Sequence, residues 1–335
     1  MQIESPDANA RLSATSTYAA PWWLPGGDLQ TIYAYAFRFN DLIEYRRERW
    51  ETPDGDFIDL DFVDSNGEST KLLVLFHGLE GCSRSHYALA TMARVGQLGW
   101  RGVVPHFRGC SGEANRLPRS YHSGDSAEID WILRRLKSQN PHCDLYVVGV
   151  SLGGNMLLKW LAESGQAARE IVRRAAAISA PMDLSVAAQV LDFGYRKIIY
   201  TRTFLRSLRQ KVLRKITAYR IGIDIENVLA CSTFRAIDNL YTAPFHGFAD
   251  AEDYWTRSSS KPLLRQIQVP TLLLNARNDP FLPQLALPTR SEVSDSVLLE
   301  YPASGGHVGF VSGPFPGSLD WLPRRIVKFF SAEQL

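Results

Sequence analysis

The chain has 335 residues, 45% of them hydrophobic and 21% charged, with a formal net charge of +2. That composition is ordinary for a globular protein, and a charge so near balance is too mild to imply nucleic acid or a membrane surface as the main partner. The four cysteines (Cys82, Cys110, Cys143 and Cys231) are scattered without metal-ligand spacing and read as reduced thiols.

The first residues carry Glu4, Asp7 and Arg11 rather than an apolar segment, so no signal peptide is expected. No run of about eighteen apolar residues could span a bilayer, and the expected compartment is the cytoplasm. Residues 1–44 form an amino-terminal arm rich in aromatics from Tyr18 on: Trp22, Trp23, Tyr33, Tyr35, Phe37 and Phe39. Two readings stand for it: an arm packed across the body, or one whose aromatics wall part of a substrate pocket.

Tyr45–Thr52 and Phe57–Val63, joined by Pro53-Asp-Gly-Asp56, give a hairpin signal. Lys71–Phe76 is the first buried run and ends in His77-Gly-Leu-Glu-Gly81. A helix over Ser85–Gln97 and a strand over Gly102–His106 follow. Asp125 and Glu128 then have the spacing of a helix cap before a helix with Ile129, Ile132, Leu133 and Leu136 on one face. Asp144–Val150 is a short apolar, β-branched run without polar alternation, the pattern of a buried strand. Helical spacing starts at Leu152, and Ala175–Ser179 is a further buried strand. This alternation predicts a mainly parallel twisted sheet with helices on both faces. It stops at Pro181 and resumes with Thr271–Asn275, a helix near Gln284–Val293, a strand Val297–Tyr301 and a helix Leu319–Phe330. The core is therefore expected at 45–182 and 262–335, with a helical lid inserted at 183–261 over the carboxyl edge of the strands, where α/β sheets place their sites.

Between the strand at 144–150 and the helix from Leu152 lies Gly149-Val-Ser-Leu-Gly153. A G-x-S-x-G sequence at a strand-to-helix turn strains the serine and presents its hydroxyl at the sheet edge, which marks Ser151 as a nucleophile. A serine hydroxyl needs a base within hydrogen-bond reach, and the base needs an orienting acid. His307, after the last strand in Ser304-Gly-Gly-His307, is the candidate base. His122 and His246 are the remaining possibilities. His77 and His106 belong to loops near the cleft, His77 as a structural residue; His86 and His142 have surface-like settings. Asp279, just past the strand at 271–275, is the candidate acid, with Asp183 as an alternative that could equally cap a helix. The backbone N–H groups of Leu79 and Leu152 are the expected oxyanion donors.

These features resemble the α/β-hydrolase superfamily over roughly residues 45–335. The resemblance extends to its YheT-like branch of esterases, which includes eukaryotic membrane-associated lipid hydrolases. Beyond the serine turn it is carried by Leu29-Gln-Thr31, Phe76-His-Gly-Leu-Glu-Gly81, Pro105-His-Phe-Arg-Gly-Cys-Ser-Gly-Glu113, Tyr121-His-Ser-Gly-Asp125, Tyr241-Thr-Ala-Pro-Phe-His-Gly-Phe248 and Asn278-Asp-Pro-Phe281. It implies carboxylic-ester hydrolysis through an acyl-serine, with no metal and no organic cofactor.

The expected activity is that of a serine esterase on short- to medium-chain acyl esters. An acyltransferase, or a phospholipid or thioester hydrolase, could use the same residues. A non-catalytic binding protein on this scaffold is the reading from another class. In the lid, Tyr195–Arg220 holds nine Lys or Arg and no Asp or Glu, with Ile198, Leu205, Leu208, Val212 and Ile216 at near-helical spacing. The ordinary reading is a lid helix with a solvated basic face; the alternative is peripheral contact with an anionic membrane. Nothing supplies nucleic-acid base readout.

Overall fold

A computed structural model describes residues 18–36, 43–65, 67 and 69–332. Eight strands form one sheet: β1 (Arg46–Glu51), β2 (Phe57–Val63), β3 (Lys71–Phe76), β4 (Arg101–Pro105), β5 (Asp144–Val150), β6 (Val172–Ile178), β7 (Thr271–Leu274) and β8 (Val297–Glu300). Their order is β1-β2-β4-β3-β5-β6-β7-β8. The β1–β2 hairpin joins β4 antiparallel, and every other pairing is parallel.

Side chains of β5 alternate between two cores, as strand geometry requires. Leu145 and Val147 pack with Ile129, Ile132, Leu133, Leu136, Leu157 and Leu161, which come from α3 (Ser126–Gln139) and α4 (Leu152–Ser164). Tyr146, Val148 and Val150 pack on the other face with Ala88 and Met92 of α2 (His86–Gln97), and with Leu322, Ile326 and Phe329 of the last helix, Trp321–Phe330. Burial on both faces explains why the β5 sequence shows no polar alternation. The chain thus has the α/β-hydrolase fold.

Residues 183–261 contain helices and turns and no strand. The longer helices are α5 (Leu184–Leu191), α6 (Arg202–Tyr219) and α7 (Ala251–Ser258), and they enclose apolar clusters of their own. In the arm, α1 (Gly27–Ala36) lies against the carboxyl-terminal part of the chain. Tyr18 packs edge-on to Phe310 and Trp321, and Trp23 to Tyr33 and Phe315. Trp22 is exposed. Phe37 and Phe39 lie outside the described residues.

Two local expectations fail. The helix expected near Gln284–Val293 is a pair of short 3₁₀ turns, Gln284–Ala286 and Arg290–Glu292. Pro288 lies between them and cannot donate to a continuous helix, while Thr289 and Glu292 form a capping box that restarts the chain locally. Asp125 and Glu128 do not cap α3. Arg119 takes the Asp125 carboxylate at 2.6 Å and Arg108 takes Glu128 at 2.6 Å, so buried ion pairs outcompete the cap.

Candidate active site

β5 delivers the chain to the sheet edge, and Ser151 turns it into α4 with φ 52° and ψ −121°, a backbone region costly for any residue with a Cβ. The turn closes only because its neighbours are glycine. A Cβ on Gly149 would lie 2.5 Å from the Gly153 carbonyl oxygen, and one on Gly153 would lie 2.5 Å from that of His77. The Ser151 N–H donates to the Ile178 carbonyl at 2.8 Å, which ties the turn to β6.

Ser151 Oγ lies 2.9 Å from His307 Nε2, and His307 Nδ1 lies 2.9 Å from Asp279 Oδ2. The buried carboxylate can only accept, so Nδ1 carries the proton and Nε2 turns a lone pair toward the serine hydroxyl. Asp279 Oδ1 is held by the Phe281 N–H at 2.8 Å. Phe281 stacks on the imidazole with ring centres 4.0 Å apart, and Tyr200 of the helical segment 183–261 packs edge-on to Phe281. The Val308 N–H donates to Ser179 Oγ at 3.2 Å, and His86 Nε2 meets the Val308 carbonyl at 3.0 Å.

The loop after β3 supplies the opposite wall. Gly78 N–H donates to Tyr87 Oη and Glu80 N–H to Tyr121 Oη, both at 2.9 Å. Between them, the Leu79 N–H has no acceptor among the described residues, and neither does that of Leu152 at the start of α4. Both residues line the cleft that contains Ser151 and His307. Two amides at a helix start and an adjoining loop can stabilise a developing oxyanion. Glu80 has φ 56°, and its carboxylate accepts from Tyr121 Oη at 2.8 Å, Lys211 Nζ at 2.7 Å and Ser207 Oγ.

The cleft encloses about 100 Å³ and is walled by Leu184, Ala188, Leu191, Phe204, Phe234 and Trp255. A second cleft of about 100 Å³ shares Leu79, Leu152, Ser123, Asp238 and Tyr254 with it, and continues to Glu80, Tyr121, His122, Lys211 and Tyr241. Both are mainly apolar, and the second carries more charged and polar side chains in its wall. Asp238, on the shared wall, accepts from Trp255 Nε1 at 2.9 Å, and burial pushes its carboxyl up to about 6.

The other histidines are engaged elsewhere. His77 is fully buried, bonded to Gly78 O and Phe107 N, and desolvation pulls it down to about 3. His106 pairs with Asp61 at 2.9 Å. His122 accepts from Gly124 N–H and is held down to about 4 by burial, and both nitrogens of His246 face carbonyl oxygens of Thr242 and Ser120. Neither approaches Ser151 within hydrogen-bond reach. His142 is exposed, whereas His86 is half-buried against the His307 loop and is not a surface residue. Asp183 caps α5 by accepting from Val186 N–H. Of the arm aromatics in the described region, Trp22, Trp23, Tyr33 and Tyr35 line neither cleft.

What the sequence reading missed is polar. Gln30, Thr31 and Asn278 bond the loops carrying Asp279 and His307. Gln30 and Thr31 stand in the Leu29-Gln-Thr31 match and Asn278 in the Asn278-Asp-Pro-Phe281 match, the signals that could have found them. No helix among the described residues is long and apolar enough to cross a membrane, and no group of three or more His, Cys, Asp or Glu there could hold a metal ion.

A family model described as "alpha/beta hydrolase fold" matches residues 71–314. "Putative esterase YheT" of Escherichia coli (strain K12) is 36% identical over 329 residues, covering 97% of this chain and 96% of that one. "Phospholipase ABHD3" of Mus musculus is 28% identical over 326 residues, 95% of this chain and 79% of that one. In fold, the chain resembles the Pyrococcus furiosus esterase Pf2001, with a TM-score of 0.55 and 15% identity over 86% of this chain and 91% of that one. The protein belongs to the alpha/beta hydrolase fold family, in its YheT-like branch.

Proposed function

We propose that the protein is a serine esterase that cleaves short- to medium-chain acyl esters through an acyl-serine intermediate. The observation that carries this is the bonded series Ser151 Oγ, His307 and Asp279, with both links at 2.9 Å and the serine on a strained turn facing a cleft. Ser151 Oγ forms a bond to the ester carbonyl carbon while its proton passes to His307 Nε2, and the carbonyl electron pair moves onto oxygen. The Leu79 and Leu152 amides stabilise that oxyanion, and Asp279 holds the imidazolium. Collapse breaks the bond to the alcohol oxygen, which takes the proton from His307. Water then attacks the acyl-serine with His307 again as base, releasing the carboxylic acid and restoring Ser151. Every step uses groups of this chain, the substrate and water.

The compartment beside Ser151 supports a short acyl group. Its volume of about 100 Å³ is below the ~150 Å³ of a cavity that admits benzene. The test is a series of p-nitrophenyl esters from acetate to octanoate with a fluorophosphonate probe. Turnover highest at the short end, and labelling at Ser151, are expected. No turnover of any ester and no labelling would overturn the assignment.

A second reading is attack on phospholipid esters at an anionic membrane. It is favoured by the names of the phospholipase relatives and by the outer face of the lid. Phe193 is 81% and Ile198 68% exposed, with Tyr195 and Ile199 also exposed, and the cations Arg202 and Arg206 stand beside them in sequence. The contact would centre on 193–206 rather than on the whole basic stretch, because Lys211 bonds Glu80 and Lys215 bonds the carbonyls of Leu117, Pro118 and Arg119. Retention on vesicles of anionic lipid at low salt, lost in Ile198→Ser with Arg202→Glu, is expected. Equal binding to neutral vesicles, or none, would remove this reading.

A further inference from the structure

His307 sits after Gly305 (φ 147°) and Gly306 (φ 61°), conformations that glycine alone adopts readily. A loop so composed cannot hold an imidazole to a few tenths of an ångström by its own stiffness. It is held from outside. Three consecutive backbone N–H groups each meet one side-chain oxygen: Gly305 donates to Gln30 Oε1 at 2.8 Å, Gly306 to Asn278 Oδ1 at 3.0 Å and His307 to Thr31 Oγ1 at 2.8 Å. Asn278 precedes Asp279, and its amide donates to the same Gln30 Oε1 at 3.1 Å. One carboxamide oxygen therefore bridges the acid loop and the base loop.

Both arm residues make a further bond within the arm. Gln30 Nε2 donates to the Leu24 carbonyl at 2.9 Å and Thr31 Oγ1 to that of Gly27 at 2.7 Å, which fixes both side chains in α1. Gln30 is 1% exposed and Thr31 8%. The backbones meet without room for a side chain. A Cβ on Gly27 would lie 1.9 Å from the Asn278 carbonyl oxygen, and one on Gly306 would lie 2.6 Å from that of Gly27.

We propose that Gln30 and Thr31 are positioning residues of the reaction, acting through the backbone of Gly305–His307 and through Asn278 to set the reach of His307 to Ser151. This rests on the serine-esterase reading above. Displacement of a reacting group by about 1 Å can cost about 10²-fold in rate. Gln30→Ala should therefore lower kcat by about 10- to 100-fold, and Thr31→Val by about 10-fold, with KM changed less than about twofold. Thr31→Ser, which keeps the hydroxyl, should restore it. Tyr35→Ala, on the exposed side of the same helix, should leave kcat unchanged.

The measurement is kcat per active site titrated with a fluorophosphonate, alongside the low-field proton resonance of His307 Nδ1–H. A merely structural role would reduce the titrated fraction and leave kcat per site and the resonance of the folded fraction intact; that result overturns the proposal. If the wild type neither hydrolyses esters nor labels, it is the esterase reading that falls. The resonance then still decides: present in the wild type and lost in both variants supports the positioning role, and unchanged in the variants removes it.

Discussion

The two walls around Ser151 are held in different ways. On the side of His307 and Asp279, the loops are fixed by uncharged side chains of the arm and of the loops after β6 and β7: Gln30, Thr31, Asn278 and Ser179. On the oxyanion side, Glu80 stands at φ 56° and its carboxylate is gripped by Lys211 and Ser207 of α6 and by Tyr121. The first wall meets the helical segment 183–261 by aromatic packing, Tyr200 and Phe204 on Phe281. The second is tied to it through a charged pair. The geometry around His307 thus rests mainly on the core and arm, and that around the Leu79 amide rests on contacts with α6. Asp28 adds a lesser cross-link, accepting from Tyr200 Oη at 2.7 Å and Tyr195 Oη at 3.1 Å, so the arm also meets the helical segment 183–261.

Changes on the base side should do the greatest damage. Ser151→Ala and His307→Ala are each expected to lower kcat by ~10⁶, with the folded state retained by circular dichroism. Asp279→Asn should cost about 10⁴, since an amide can offer its NH₂ to Nδ1 and favour the wrong tautomer. Steady-state kinetics on a p-nitrophenyl ester measures both. A mild effect of Asp279→Asn would mean that the imidazole is held by the Phe281 stack and the loop amides without the carboxylate.

Most of the sheet was legible in the sequence because its signals are local. β3 and β5 are apolar runs bounded by turn residues, and Gly149-Val-Ser-Leu-Gly153 sits where a strand pattern gives way to a helix pattern. Ser151, Asp279 and His307 could be put forward from chain order, since each follows a strand, and the folded chain brings the three together. What escaped was long-range. Gln30 meets Gly305 across 275 residues and looks, on its own helix, like any polar residue. The aromatics are the arm's conspicuous sequence feature, yet the described ones line neither cleft, while its buried amide and hydroxyl reach the site. The basic stretch of α6 looked like one solvated face, yet Lys211 and Lys215 point inward to Glu80 and to three carbonyls. Asp125 and Glu128 had the spacing of a cap, but arginines distant in sequence claimed them.

The oxyanion side predicts an intermediate effect. Loss of a whole oxyanion donor costs about 10²–10³, and Lys211→Met removes only one support of the loop that carries it, so a fall in kcat of about tenfold is expected. Glu80→Gln should behave alike, because Lys211 would lose its carboxylate partner. The comparison of the two walls breaks if Lys211→Met costs as much as Asp279→Asn, for α6 would then govern the His307 side as well. It sharpens if Lys211→Met slows acylation, read as the fluorophosphonate labelling rate, while Gln30 and Thr31 variants made in the same background add their own separate loss.

The smallest effect concerns Asp238, on the wall common to both clefts. Burial raises its carboxyl from the usual range to about 6. Between its ordinary value near 3.8 and about 6 the folded protein holds a proton that the unfolded chain has released, so stability from this group is full below that window and declines as pH rises through it. Asp238→Asn cannot titrate and keeps an acceptor for Trp255 Nε1. The melting temperature of the wild type minus that of Asp238→Asn should therefore fall by a few degrees from pH 4 to pH 6.5 and be flat above. The same proton changes the cleft from neutral to anionic, so KM for an ester with an anionic alcohol should rise with pH over this range in the wild type alone. A melting difference that rises with pH would mean that the Trp255 bond, rather than desolvation, dominates this carboxylate, and the cleft would then be anionic throughout.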